Sequence, residues 1–205
     1  MERFPYPVNL LVEGPTDEVV VRRILEHLGL RCGRVYGKMD NPDPLNRLSR
    51  YNQAACFAPW LAVLDLDQEP ECAPLLVRAA LPNPASGMRL RVAVHAIEAW
   101  LLADAERLSA FLSVPISKIP PDPDTIPDPK QFLVNLARKS RRRAIREDMT
   151  PRPGSGARVG PGYTGQLVEF VTAAQVRWRP EAAQKRSASL KSCVAALQML
   201  KAWKP

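Results

Sequence analysis

Apolar runs and amphipathic segments alternate along the first half of the chain. Four short apolar runs predict buried strands, at residues 7–12, 34–36, 60–64 and 90–94. The segments between them carry apolar side chains at helical spacing, at residues 17–28, 44–55 and 73–80. Strands that alternate with helices form parallel sheets with helices on the faces, joined by right-handed crossovers. The pattern therefore predicts an α/β fold with a four-stranded, mostly parallel sheet.

The strand pattern disappears in the second half of the chain. Residues 96–112 predict one helix with an apolar stripe, and a connector with six prolines follows at residues 115–129. The segments after the connector have helical periodicity and are interrupted by glycine and proline. We therefore expect residues 1–112 to form the α/β domain, and residues 113–205 to form a Pro-rich connector and a basic helical extension packed on it.

The composition of the 205 residues is that of an ordinary soluble domain, with 46% hydrophobic and 24% charged residues. The longest apolar run is far shorter than the ~20 residues that a membrane helix needs, and the first residues lack a signal-peptide pattern. The four cysteines form neither a CxxC pair nor the dense framework of a secreted scaffold. We expect a cytoplasmic protein with reduced thiols, no membrane contact and no zinc ribbon.

The positive charge is concentrated in the second half. Residues 1–104 hold 11 Lys and Arg against 13 Asp and Glu, which gives −2, whereas residues 105–205 hold 18 against 8, which gives +10. The segment 138–158 alone carries eight basic residues. Such a patch attracts polyanions, although a solvated helix face or a disordered basic loop would have the same composition. As candidate contacts to nucleic-acid phosphates we select Lys130, Lys139, Arg142 and Arg143.

Carboxylates follow two of the predicted strands directly. Glu13 follows the first apolar run, and Asp65 and Asp67 follow the third. Ligands of open α/β sheets gather at the carboxyl ends of the strands, and side chains two residues apart on a strand point to the same side. If the two strands are neighbours, three carboxylates converge, and such a group favours a hard cation such as Mg²⁺ or Mn²⁺. The alternative is that these acids only cap the helices that follow.

Two motifs carry a resemblance to a known family. Leu11–Asp17, which has the sequence LVEGPTD, and Val63–Glu69, which has the sequence VLDLDQE, closely resemble the two signatures of Toprim domains, the topoisomerase–primase superfamily. The resemblance implies a Rossmann-like fold with a Mg²⁺ site built from Glu13, Asp65 and Asp67. In the members that transfer phosphoryl groups, the glutamate that corresponds to Glu13 is also the general acid and base.

The resemblance extends beyond the Toprim signatures to nearly the whole chain. Its further residues are similar to a Toprim-like bacterial family of unknown function that is related to the overcoming-lysogenization-defect nucleases, and they are His95–Asp104, Pro129, Lys130, Tyr163 and Ser187–Leu190. Within the first of these segments, Glu98 is a candidate fourth carboxylate that could support a second metal ion. The alternative is a surface glutamate on an amphipathic helix. We expect Asp104 to cap a helix or to pair with an arginine, and not to be a metal ligand.

Other chemistries lack their motifs. The sequence contains no GxxxxGK[ST], so the glycine-rich segment at residues 151–165 is not a nucleotide-binding P-loop, and it contains no GxSxG nucleophile motif. Tyr163 would be a topoisomerase nucleophile only in a longer chain with domains for strand passage. We therefore expect it to be a loop tyrosine or a phosphate contact.

These observations predict a Mg²⁺- or Mn²⁺-dependent phosphoryl-transfer protein, a Toprim-type nuclease or RNA-processing enzyme that acts on the phosphodiesters of DNA or RNA. The alternative is a non-catalytic Toprim-like module that binds nucleic acid or regulates a separate ATPase protein, for example in anti-phage defence. The related lysogenization-defect proteins join their Toprim domain to an ATPase, which this chain lacks.

Overall fold

The fold is described by a computed structural model for residues 4–37, 44–66 and 73–204. The strands are β1 (Val8–Leu11), β2 (Cys32–Tyr36), β3 (Trp60–Asp65) and β4 (Met88–Ala93). Three helices lie between them, α1 (Pro15–His27), α2 (Pro44–Ala54) and α3 (Ala73–Ala80). Seven follow, α4 (Ile97–Ala103), α5 (Ala105–Leu112), α6 (Pro129–Ala137), α7 (Arg143–Met149), α8 (Tyr163–Thr172), α9 (Pro180–Ala183) and α10 (Ala188–Leu200). Within the described ranges, no helix is long and apolar enough to cross a bilayer.

The four strands form one parallel sheet in the order β2-β1-β3-β4. The α/β prediction and the four strands are therefore confirmed, and every pair is parallel. The strand order reverses direction between β1 and β3, because the chain moves outward to β2 on one side and to β4 on the other. In open α/β sheets, ligands bind in the crevice at the carboxyl ends of the strands at such a switch point. The expected ligand-binding position is therefore at the carboxyl ends of β1 and β3.

Both faces of the sheet are covered. On β3, Leu61 and Val63 belong to a large apolar core shared with α1, α4 and the helices after residue 113, whereas Ala62 and Leu64 belong to a smaller core under α2 and α3. This alternation is the two-residue period of a strand. Trp178 lies fully buried in the large core, and its indole N–H donates to the carbonyl oxygen of Trp100 at 3.0 Å. The second half of the chain thus packs against the helix that follows β4.

The prediction of one helix over residues 96–112 is wrong, because the chain breaks at Asp104 into α4 and α5. The carboxylate of Asp104 accepts a hydrogen bond from the backbone N–H of Arg107, at the start of α5. It also accepts bonds from the backbone N–H and the guanidinium of Arg179, at 2.8 to 3.0 Å. Asp104 is therefore both a helix cap and a buried ion-pair partner, the two roles expected from the sequence.

Side-chain caps begin two of the later helices. The Asp128 side chain accepts from the N–H of Gln131 at the start of α6, and the Ser187 hydroxyl accepts from the N–H of Leu190 at the start of α10. A side-chain oxygen that satisfies a first-turn N–H stabilises a helix by about 1 kcal/mol. The first cap matters for the site, because it orders the first turn of α6, where Lys130 lies 3.8 Å from Glu98.

Candidate active site

Glu13 and Asp65 meet at the switch point of the sheet. β1 and β3 pair in register with Leu11 opposite Ala62, so Glu13 and Asp65 emerge from the same edge. The backbone N–H of Asp65 donates to Oε1 of Glu13 at 3.0 Å. The structure thus brings together two of the carboxylates selected from the sequence. Asp67 lies outside the described residues.

Asp65 lies in a strongly acidic surrounding. Its Oδ1 accepts a hydrogen bond from the backbone N–H of Ile97 at 2.9 Å, which ties the end of β3 to the start of α4. Burial raises the pKa of the Asp65 carboxyl to about 9, and the negative charges of Asp17, Glu98 and Glu13 add to the rise. Without a counter-charge, this carboxyl therefore keeps its proton at neutral pH.

Asp17 is a site residue that the sequence reasoning missed, because an acid in the first turn of a helix is also expected from the helix dipole. The side chain is only 6% exposed, and its Oδ1 is buried without a hydrogen-bond partner. Burial raises the pKa of Asp17 to about 7, and the charges of Glu13 and Glu98 add to it. The sequence signal for Asp17 is its spacing. It stands four residues after Glu13, so the first turn of α1 brings its side chain near the edge of the sheet where Glu13 lies.

Glu98 lies inside the protein, so the alternative of a surface glutamate is wrong. It is 3% exposed on α4. Its Oε1 accepts a hydrogen bond from the Tyr163 hydroxyl at 3.2 Å and lies 3.8 Å from Nζ of Lys130. Its Oε2 is buried without a hydrogen-bond partner. Burial raises the pKa of Glu98, while Lys130 and the Tyr163 hydrogen bond oppose the rise.

Tyr163 is neither a loop tyrosine nor an exposed phosphate contact. It is the first residue of α8 and is 3% exposed. Burial raises its pKa well above the usual range, and the charge of Glu98 adds to the rise. The hydroxyl therefore remains a hydrogen-bond donor to Glu98 at ordinary pH.

Two cations flank the carboxylates. Lys130, in the first turn of α6, is 45% exposed and approaches Glu98 from the solvent side. Arg158, in the glycine-rich segment, forms an ion pair with Asp128, whose negative charge contributes to the raised pKa of Glu98. The sequence reasoning included Arg158 only as one of many basic residues. Its position beside the site depends on the fold of residues 151–162.

The other predicted phosphate contacts lie away from the carboxylates. Lys139 follows α6, whose nine residues put about 13 Å between it and Lys130. Arg142 donates to the carbonyl oxygen of Phe111 at 3.0 Å, and its guanidinium lies 5.8 Å from the centre of the Phe111 ring. Arg143 pairs with Glu147 on the surface at 2.7 Å. Of the four cations, the structure therefore brings only Lys130 to the carboxylates.

The donor chemistry of this edge fits a hard divalent cation. Among the described residues, no three His, Cys, Asp or Glu side chains form a ready ligand set for one ion. The edge nevertheless supplies only carboxylate oxygens, and two of them, Oδ1 of Asp17 and Oε2 of Glu98, are buried without a partner. A buried anion without a partner is unfavourable, and oxygen donors are those that Mg²⁺ and Mn²⁺ take. The residues that would hold such an ion are Glu13, Asp17, Asp65 and Glu98.

No family model, no curated protein and no solved structure matches this chain.

Proposed function

We propose that this chain is a Mg²⁺- or Mn²⁺-dependent phosphoryl-transfer protein of the Toprim type, a nuclease or RNA-processing enzyme that hydrolyses phosphodiesters. The observation that carries the proposal is the gathering of Glu13, Asp17, Asp65 and Glu98 at the switch point, with two buried oxygens that have no partner. Carboxylates whose pKa values are raised by one another mark sites where a cation or a proton does chemical work.

The bound cation would polarise the phosphoryl oxygens and neutralise the charge that develops on them in the transition state. Glu13, oriented by the Asp65 N–H, would take the proton from the attacking water. Lys130 would bind the scissile phosphate from the solvent side; its ammonium group next to Glu98 and its half-exposed side chain support this role. The water oxygen would bond to phosphorus as the P–O bond to the leaving group breaks, and the proton held by Glu13 would pass to the leaving oxygen.

The charge of the second half supports a nucleic-acid substrate. Its net charge of +10 is the electrostatic pattern of a polyanion-binding protein. Lys139, Arg142 and Arg143 would bind phosphates along the substrate, away from the scissile one. This arrangement separates binding from chemistry: one group of cations holds the backbone, while Lys130 acts at the reacting phosphate.

Incubation of the purified chain with labelled single- and double-stranded DNA and RNA tests the proposal. We expect cleavage of at least one substrate in Mg²⁺ or Mn²⁺ and none in EDTA. Glu13→Gln and Asp65→Asn should abolish it, whereas Glu169→Gln, an exposed glutamate on α8, should not. Nucleic-acid binding without cleavage by the wild type would contradict the enzymatic proposal. Cleavage only with an added ATPase partner would favour the regulatory module instead.

A further inference from the structure

The two oxygens of the Glu98 carboxylate have different surroundings. Oε1 accepts the hydroxyl hydrogen bond of Tyr163 at 3.2 Å and has the ammonium group of Lys130 at 3.8 Å. Oε2 is buried and has no hydrogen-bond partner. A carboxylate with one oxygen held by a donor has a defined orientation, so its other oxygen is presented in one direction.

The Tyr163 hydroxyl is held in place by the turn before α8. The N–H groups of Gly160 and Gly162 donate to the carbonyl oxygens of Met149 and Asp148, at 3.1 and 2.8 Å. A Cβ atom at Gly162 would stand 2.7 Å from Cβ of Asp148, so only glycine permits this approach. Gln166, in the first turn of α8, donates to Oδ2 of Asp148 at 2.7 Å. The end of α7 thus fixes the start of α8 from two sides.

The hydrogen bond from Tyr163 fixes one oxygen of the Glu98 carboxylate. Burial makes such a bond stronger than it would be in water. Residues that hydrogen-bond to a metal-binding carboxylate orient it and tune its affinity, and their loss typically costs about 10- to 100-fold in metal affinity. Tyr163 and Glu98 have the arrangement expected of such a pair: both are buried, the tyrosine donates to one carboxylate oxygen, and the other oxygen has no partner.

We propose that Tyr163 is a positioning residue of the candidate cation site: its hydroxyl holds Oε1 of Glu98 so that Oε2 is the oxygen presented to a divalent cation. The inference rests on the proposed function in that it takes the carboxylate edge to bind such an ion. It adds that the site is composite, since α8, from the second half of the chain, completes a site that the first half begins.

The dissociation constant for Mn²⁺, measured from the electron paramagnetic resonance signal of the free ion, tests this without reference to activity. We expect Tyr163→Phe to weaken Mn²⁺ binding about tenfold or more. Tyr51→Phe is the matched control, because it removes the same atom from a tyrosine in the aromatic cluster with Tyr36 and Trp60 on the other face of the sheet. It should bind Mn²⁺ as the wild type does.

A double-mutant cycle separates positioning from a general structural effect. If Tyr163 acts through Glu98, adding Tyr163→Phe to Glu98→Gln should weaken Mn²⁺ binding no further. An equal loss in both backgrounds would overturn the proposal. Should Tyr163→Phe not fold, Glu98→Asp replaces it, because the shorter side chain keeps the charge but withdraws it from the hydroxyl. Mn²⁺ binding by Glu98→Asp equal to that of the wild type would then overturn the proposal.

The same titrations distinguish this inference from the proposed function. If the wild type binds Mn²⁺ and Tyr163→Phe binds it equally well, the positioning role is wrong and the cation site stands. If the wild type binds no Mn²⁺, both the site and the role of Tyr163 are wrong.

Discussion

The backbone N–H of Asp65 donates to Oε1 of Glu13 at 3.0 Å, and this bond joins the carboxyl ends of two neighbouring parallel strands where their acidic side chains meet. Because the donor is a backbone group, the register of β1 and β3 sets its position, and the Glu13 side chain adopts the conformation that reaches it. Glu13 is therefore oriented by the sheet itself. A group oriented by rigid backbone is suited to act on a substrate in one geometry.

The first prediction concerns the charge of Glu13. In Glu13→Gln the amide oxygen can still accept the Asp65 N–H, so the fold should be retained while the negative charge is lost. We expect a free energy of unfolding within about 1 kcal/mol of the wild type, together with weaker Mn²⁺ binding and no cleavage. Denaturant titration, calorimetry and the cleavage assay check the three parts. A variant that binds Mn²⁺ as tightly as the wild type would remove Glu13 from the site.

The second prediction concerns the stability of the metal-free protein as a function of pH. The folded-state pKa values of Asp65, about 9, and Asp17, about 7, lie above the ordinary value of 3.8. Between pH 4 and these values the folded protein holds protons that the unfolded chain has released, so rising pH lowers the stability. Asp65→Asn removes this cost. We expect it to be more stable than the wild type in EDTA, by on the order of 1–3 kcal/mol at pH 8.

The pH dependence of the stability difference is the control for this prediction. The difference between Asp65→Asn and the wild type should be small near pH 3, where the carboxyl is mostly protonated in both states, and should grow up to about pH 9. Urea unfolding at four or five pH values measures it. A difference that does not change with pH would mean that burial and the neighbouring charges do not raise the pKa of Asp65 in the folded protein.

The third prediction concerns the buried pair of Asp104 and Arg179. Asp104 accepts three bonds from Arg179 and is buried, so Asp104→Ala leaves the guanidinium without its main partner. We expect a loss of about 1.5–3 kcal/mol in the free energy of unfolding, the range for a lost hydrogen bond to a charged group. Glu106 binds the same guanidinium at 2.8 Å from the surface. Glu106→Ala should cost clearly less, because an exposed ion pair is screened by solvent, and equal losses would contradict the account.

The fourth prediction separates the cations that bind nucleic acid from the one beside the carboxylates. Each phosphate contact that is removed should reduce the slope of log K against log salt by about 0.9 for duplex DNA. Lys139→Gln and Arg143→Gln should show this reduction while the cleavage rate at saturating substrate is unchanged. Lys130→Gln should lower that rate. Lys191→Gln, on the exposed side of α10, is the control and should change neither quantity.

The salt slope also tests the nucleic-acid interface as a whole. If about five cations of the second half contact duplex phosphates, the wild-type slope is about −4.5. A slope close to zero would exclude an interface built from phosphate contacts. A rate loss in Lys139→Gln as large as that in Lys130→Gln would contradict the assignment of separate roles.

Much of the site could be predicted because it depends on local patterns and on one rule of topology. The apolar runs define β1 and β3, and strands of an open parallel sheet end at a common edge, so the convergence of Glu13 and Asp65 follows once the strands are neighbours. The helix after β4 brings Glu98 to the same edge for the same reason. These positions are determined by elements close to the residues themselves.

The remaining site residues could not be predicted because long-range packing determines them. Tyr163 meets Glu98 across 65 positions of sequence, through the contact of the α8 start with the end of α7. Asp17 differs from an ordinary first-turn acid only in being buried. The break at Asp104 depends on Arg179, 75 residues later, so the helical periodicity of residues 96–112 contains no sign of it.

The most direct test of the central claim is the anomalous scattering of Mn²⁺ in crystals of the protein grown or soaked with the ion. The account predicts a Mn²⁺ peak at the carboxyl edge between β1 and β3, within about 2.2 Å of carboxylate oxygens. Those oxygens should include Oε2 of Glu98, with the Tyr163 hydroxyl on Oε1, and we expect Glu13, Asp17 and Asp65 among the other ligands. A Mn²⁺ peak elsewhere, with none at this edge, would contradict the claim that these carboxylates form a divalent-cation site.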